Sequence, residues 1–110
     1  GICTGIVKLK NLELIKAESA NKKWAYIATY GPQSMFSDNL GMAIFYQTST
    51  VDSLVEGVDD HLIIFKPSNT AVSFYFLGAW EKEKAGLKSQ EEFIAYLNKK
   101  LALLNAKNNL

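Results

Sequence analysis

Residues 71–83, AVSFYFLGAWEKE, carry the reading on which the fold turns. Laid out as an extended segment, Val72, Phe74, Phe76, Gly78 and Trp80 fall on one side. Ser73, Tyr75, Leu77 and Ala79 fall on the other, so neither side is polar and a strand here needs cover on both faces. The apolar run then stops abruptly at Trp80-Glu81 and passes into Lys82, Glu83 and Lys84.

Moving outward, comparable β-branched, aromatic or alternating runs occupy residues 4–10, 12–17, 23–30, 40–48 and 60–66. With 71–80 they predict about six strands. Turn-forming clusters at 18–23 (ESANKK), 31–39 (GPQSMFSDN) and 67–70 (PSNT) separate them. Such connections are too short for parallel crossovers, which need roughly a dozen or more residues, so the neighbours pair antiparallel. Residues 48–60 (TSTVDSLVEGVDD) read as an irregular loop or a short helical turn.

The C-terminal segment has a different period. Ser89-Gln90-Glu91-Glu92 fits a capping box, and Phe93, Leu97, Leu101 and Leu104 follow at helical spacing, with Ile94 and Tyr96 widening the stripe. Lys99, Lys100 and Lys107 place positive charge toward the negative end of the helix dipole. An amphipathic helix over 89–106 packed on the sheet is expected, in preference to one lying on a membrane surface. The fold class is thus mainly β (α+β): an antiparallel sheet or partial β-sandwich with one C-terminal amphipathic helix.

Size then sets a constraint. Five or six strands at ~4.8 Å spacing make a sheet about 25 Å wide, whereas a helix is about 10 Å across, so one helix cannot shield both faces. Leu40, Met42, Ile44 and Tyr46 oppose Ala43 and Phe45, and Leu62 and Ile64 oppose Ile63 and Phe65, so both faces are apolar. At ~25 cal/mol per Å2, exposing ~500 Å2 of apolar face would forgo on the order of 12 kcal/mol, as much as a whole domain's stability. A further layer is required. It could come from this chain folding over into a sandwich or barrel, from an identical subunit in a homo-oligomer, or from a larger part of a longer protein.

Composition narrows the function classes. At 110 residues, 48% hydrophobic and 21% charged, the chain is one globular β-rich domain over 1–110 or a piece of one. Its positive charges are all lysines, balanced by 11 acidic residues spread along the chain, and the pairs Lys22-Lys23 and Lys99-Lys100 read as a turn and a solvated helix face. No concentrated basic surface argues for nucleic acid. A single cysteine, Cys3, excludes an internal disulfide, and one cysteine with one histidine far apart is a poor start for a metal site. No apolar run approaches the ~18 residues needed to cross a membrane, and no charged-then-apolar leader is present. The opening GICTGIVKLK lacks Met and enters a strand pattern almost at once, which fits a piece of a longer polypeptide.

Few residues are chemically suggestive. His61, in DDHLIIFK, is the only histidine, and its side chain type titrates naturally near neutrality. It reads either as a strand-entry histidine bonded at the surface or as an acid–base group oriented by Asp59 and Asp60. Glu81 beside Trp80 reads either as a solvated strand end or as a partly desolvated carboxylate suited to general acid or base work. An indole beside a carboxylate also suits sugar binding, the ring stacking on a pyranose and the carboxylate accepting from hydroxyls. Trp24, Tyr30, Tyr75 and Gln33 would extend that surface, while aromatics at strand spacing are equally the mark of a core. Gly5, Gly41 and Gly78 stand singly in strand contexts and predict bulges or close backbone approaches. No G-x-S-x-G, H-E-x-x-H, P-loop or dinucleotide fingerprint occurs, so no cofactor is expected.

Taken in order, TGIV (4–7), YGPQS (30–34), DNLGMAIFY (38–46), HLIIFK (61–66), YFLGAWEKE (75–83) and EEFIAYL (91–97) form a pattern that resembles a known one. It is similar to the C-terminal part of an uncharacterised bacterial domain family found in pectin- and rhamnogalacturonan-degrading systems. The resemblance implies that the chain is the C-terminal fragment of a larger, galactose-mutarotase-like β-sandwich in a periplasmic or secreted protein. It further implies a carbohydrate partner and, in the longer protein, a glycoside hydrolase, polysaccharide lyase or sugar epimerase. His61 and Glu81 then become the candidate catalytic pair, and Trp24, Tyr30, Gln33 and Trp80 the candidate carbohydrate-binding residues. The isolated fragment is expected to be inactive. A non-catalytic sugar-binding or scaffolding module and an oligomeric interaction domain are the alternatives.

Overall fold

The computed structural model of the chain describes residues 3–7, 14–18, 23–32, 39–57, 60–67, 74–80 and 89–107. The strands are β1 (Cys3–Val7), β2 (Ile15–Glu18), β3 (Trp24–Pro32), β4 (Asn39–Gln47), β5 (Val51–Glu56), β6 (Asp60–Phe65) and β7 (Phe74–Trp80), followed by helix α1 (Gln90–Lys107). They form two antiparallel sheets, a four-stranded one in the order β2-β3-β4-β7 and a three-stranded one in the order β1-β6-β5.

Strand alternation builds three layers. On β3, Trp24, Tyr26, Ala28 and Tyr30 join Phe93, Leu97, Leu101 and Leu104 of α1 in one buried cluster. The intervening Ala25 and Ile27 join Ile44 and Tyr46 of β4 and Ile6, Ile63 and Phe65 of the smaller sheet in a second. β4 sorts in the same way, with Ala43 and Phe45 under the helix and Ile44 and Tyr46 between the sheets. Each fully buried leucine, isoleucine or phenylalanine in these clusters contributes about 1.5–3 kcal/mol of transfer free energy.

The layer demanded by the two apolar faces is therefore supplied from within. Of the three possible sources, the chain's own second sheet covers the face of β3 and β4 turned away from α1. β7 follows the same rule, with Tyr75 and Leu77 packed toward the helix and the Phe74 ring stacked on Phe65 of the second sheet at 5.8 Å and 21°. Cover on that side then gives out: Phe76, the cross-strand partner of Ile44, is 57% exposed. A three-strand layer is about 4.8 Å narrower than the four-strand sheet beneath it, and at edge strand β7 it covers Phe74 but not Phe76. On the outer side of the small sheet, Ile64 is half-buried.

The structure adds a strand to the six expected. Residues 48–56 are neither a loop nor simply a helical turn: a 3-10 turn at Thr48–Thr50 leads into β5, while 58–59 lie outside the described residues. Pairing of β5 with β6 slips between Val51 and Ser53, and this bulge breaks the alternation that would have announced the strand. The turn is closed by Thr50, whose hydroxyl donates to the Gln47 carbonyl at 2.7 Å.

Helix α1 starts as its sequence predicts, with the Glu92 N–H donating to Ser89 Oγ at 3.1 Å. Two asparagines fasten it to β3. The Trp24 N–H donates to Asn105 Oδ1 at 2.9 Å, while Asn105 Nδ2 donates to the Leu101 carbonyl at 3.1 Å. The Tyr26 hydroxyl donates to Asn98 Oδ1 at 2.9 Å.

Burial pushes the Tyr26 phenol above its ordinary value of 10.0, because the charged phenolate loses its water between sheet and helix. The folded protein then holds this proton to higher pH than the unfolded chain does. The associated stability is complete below pH 10.0 and is lost as pH rises through the folded value. Urea midpoints measured from pH 9 to pH 11 are expected to fall more steeply for the wild type than for Tyr26→Phe; equal slopes would contradict the assignment.

Candidate functional site

The described residues enclose a cleft of about 430 Å3 at one margin of the sandwich, where the two sheets part. β2 and β3, with the residue preceding β2, supply one wall through Leu14, Lys16 and Ile27; β5 and β6 supply the other through Leu54, Val55, Glu56, His61 and Leu62. Volumes of roughly 300–1,000 Å3 are those of small-molecule sites.

His61 sits there for a reason visible in the strand register. On β6, His61, Ile63 and Phe65 are buried and alternate with the half-buried Leu62 and Ile64. β6 is also the central strand of its sheet, with His61 paired to Ile6 on one side and Glu56 on the other. Gly5 permits the approach on the β1 side: a Cβ there would lie 2.6 Å from the His61 carbonyl oxygen and 2.7 Å from Leu62 Cδ2. The imidazole is consequently held on a strand fixed from both edges. It is 5% exposed, yet neither Nδ1 nor Nε2 has a hydrogen-bond partner among the described residues. A buried polar group left without any partner costs about 1–3 kcal/mol.

Lys16 occupies the facing wall. Ile15 and Ala17 pack toward the helix, which turns Lys16, the cross-strand partner of Ile27, toward the gap between the sheets. Its side chain is exposed. Glu56, also exposed, lies on the β5 side next to His61 in register. The cleft thus offers one cation, one carboxylate and one buried imidazole against walls of Leu14, Ile27 and Leu54.

Of the other residues singled out by sequence, those among the described residues fall elsewhere. Trp24 is 1% exposed, with its ring 5.7 Å from that of Tyr75. Tyr30 is 8% exposed, 5.5 Å from Phe93. Both belong to the core beneath α1 and present no face on which a sugar could stack, so the expected aromatic platform reduces to packing. The backbone of Trp80 closes β7 in register with Leu40. From Ile27 on the cleft wall it lies two strands across and four residues along, about 16 Å by strand spacing and rise. Gln33 and Glu81 lie outside the described residues. Gly41, like Gly5, marks a close approach, whereas Gly78 faces open space, against the expectation that all three would.

Sequence reasoning missed Lys16, Glu56 and the leucines of the walls. Glu56 and Leu54 went unseen with β5 itself. Lys16 had a usable signal, a cation on the same side of a strand as Leu14. No group of three or more His, Cys, Asp or Glu side chains able to hold a metal ion occurs among the described residues. No helix among them is long and apolar enough to cross a membrane.

Comparison with curated proteins and with solved structures finds no match. Residues 1–108 do match the family described as a domain of unknown function, DUF4861, and since that match spans nearly the whole sequence the chain belongs to this family.

Proposed function

We propose that the chain binds carbohydrate in the His61 cleft, as the C-terminal part of a larger secreted or periplasmic bacterial protein that handles pectic oligosaccharides. The observation that carries this reading is the buried imidazole with both ring nitrogens unpartnered among the described residues. A neutral imidazole needs a donor for one nitrogen and an acceptor for the other. Hydroxyl groups provide both at each oxygen, so a ligand hydroxyl can serve either nitrogen. The apolar walls at Leu14, Ile27 and Leu54 suit the C–H faces of a pyranose. The resemblance to pectin-associated proteins, and the mutarotase-like sandwich it implies, supply the polysaccharide class.

The described lining of the cleft supports binding, and Glu81, the catalytic partner expected for His61, lies outside the described residues. In a longer protein the cleft would act as a subsite, and catalytic groups would come from other regions.

His61 being the sole histidine, its imidazole gives one set of ring signals in a nitrogen-15 correlation spectrum. Addition of digalacturonate is expected to shift those signals saturably, with heat release of matching affinity by calorimetry. Unchanged ring signals and no heat at tens of millimolar ligand would remove the reading.

A further inference from the structure

We infer that the cleft selects a hydroxylated carboxylate, with the Lys16 ammonium as the residue that distinguishes an acidic ligand from its neutral counterpart; the sugar part of this inference rests on the binding reading above. The reasoning starts from where the charges lie. Lys16 is carried on the edge strand β2 and turned toward the gap between the sheets, opposite the strand that holds His61. Cation and imidazole therefore face one volume from two different sheets.

Each group selects part of the ligand. The imidazole, 5% exposed and without a partner among the described residues, takes a neutral donor-acceptor group in the cleft. Lys16 at the open rim can only donate, and a charge-assisted bond to a carboxylate is the strongest it can make. Glu56 stands on the other rim and can only accept while ionised. A second carboxylate placed there would be repelled. The arrangement fits a single acid group oriented toward β2 with a hydroxyl oriented toward β6. A monosaccharide acid such as galacturonate has that polarity, and a neutral hexose leaves the ammonium unused.

An inward-turned lysine also serves on edge strands to discourage pairing with other chains. Ligand selectivity separates the two roles. The test titrates the full chain with D-galacturonate, D-galactose and cyclohexanecarboxylate, reading the His61 ring signals, and repeats it with Lys16→Gln and Lys16→Arg. Galacturonate is expected to bind at least tenfold more tightly than galactose. That preference should vanish in Lys16→Gln by weaker galacturonate binding alone, and return in Lys16→Arg.

Equal affinity for galacturonate and galactose, or an unchanged ratio in Lys16→Gln, overturns the role of Lys16 and leaves carbohydrate binding standing. If cyclohexanecarboxylate shifts the imidazole and depends on Lys16 while neither sugar does, the carboxylate inference holds and the carbohydrate reading fails. Silence from all three ligands overturns both. Lys16 is exposed, so its variants should keep the wild-type fold, which the remaining amide signals report directly.

Discussion

Replacing His61 by leucine is expected to make the protein more stable and, in the same step, to abolish ligand binding. The two effects share one cause. His61 is 5% exposed on the central strand of the small sheet, and both its ring nitrogens are unpartnered among the described residues. Its neighbours on that face, Ile6 and Ile63, are apolar and fully enclosed. Leucine is of similar volume, removes two unsatisfied polar atoms and extends an existing hydrophobic row. Relief of an unsatisfied buried group is worth about 1–3 kcal/mol, from which imperfect shape matching subtracts a part. A net gain of about 1 kcal/mol raises the melting temperature of a domain this size by about 4 °C.

Thermal unfolding followed by circular dichroism measures the first effect, and calorimetric titration with galacturonate the second. The combination is diagnostic, since polar groups kept at a cost to stability are a mark of sites. A structural histidine would give the opposite sign. If His61→Leu melts several degrees below wild type, the imidazole is bonded within the fold and the cleft loses the group on which its proposed function depends.

Much of the fold was legible because side-chain alternation is a local property. The strands containing residues 24–30, 40–47 and 74–80 announced themselves, and their two apolar sides required cover on both faces. What alternation cannot say is which layer meets which side. Phe74 and Tyr75 read alike in the sequence, yet one stacks on the second sheet and the other packs under the helix. The bulge at Val51/Ser53 concealed β5, and with it Leu54 and Glu56 of the candidate site. Trp24 and Tyr30 misled for a related reason. An aromatic ring on a strand has the same signature whether it meets a ligand or a helix, and only the docking of α1 decides. His61 was the exception, because a lone histidine is conspicuous in any context. Even so, its lack of partners among the described residues is a three-dimensional fact with no trace in composition or spacing.

The largest loss of stability is expected at Phe93, and its size should depend on what stands opposite. The ring is fully buried where α1 meets the sheet, beside Tyr30 and directly over Gly41 of β4. Phe93→Ala should cost about 3–5 kcal/mol, a large part of the roughly 5–15 kcal/mol that holds a domain together. Gly41 has no side chain because the ring fills that space: a Cβ there would sit 2.5–2.8 Å from three Phe93 ring carbons. Gly41→Ala alone must therefore displace an enclosed ring at a cost of about 1–3 kcal/mol. Once Phe93 is alanine, the added methyl enters space the ring has left, and the same substitution should cost close to nothing. The double-mutant cycle, read from denaturant midpoints, is thus expected to give a coupling of about 1–3 kcal/mol. Additive losses would mean that Gly41 is required by its backbone rather than by the ring above it. The helix would then be seated on the sheet by Leu97, Leu101 and Leu104, with the Phe93 contact following from that docking instead of setting it.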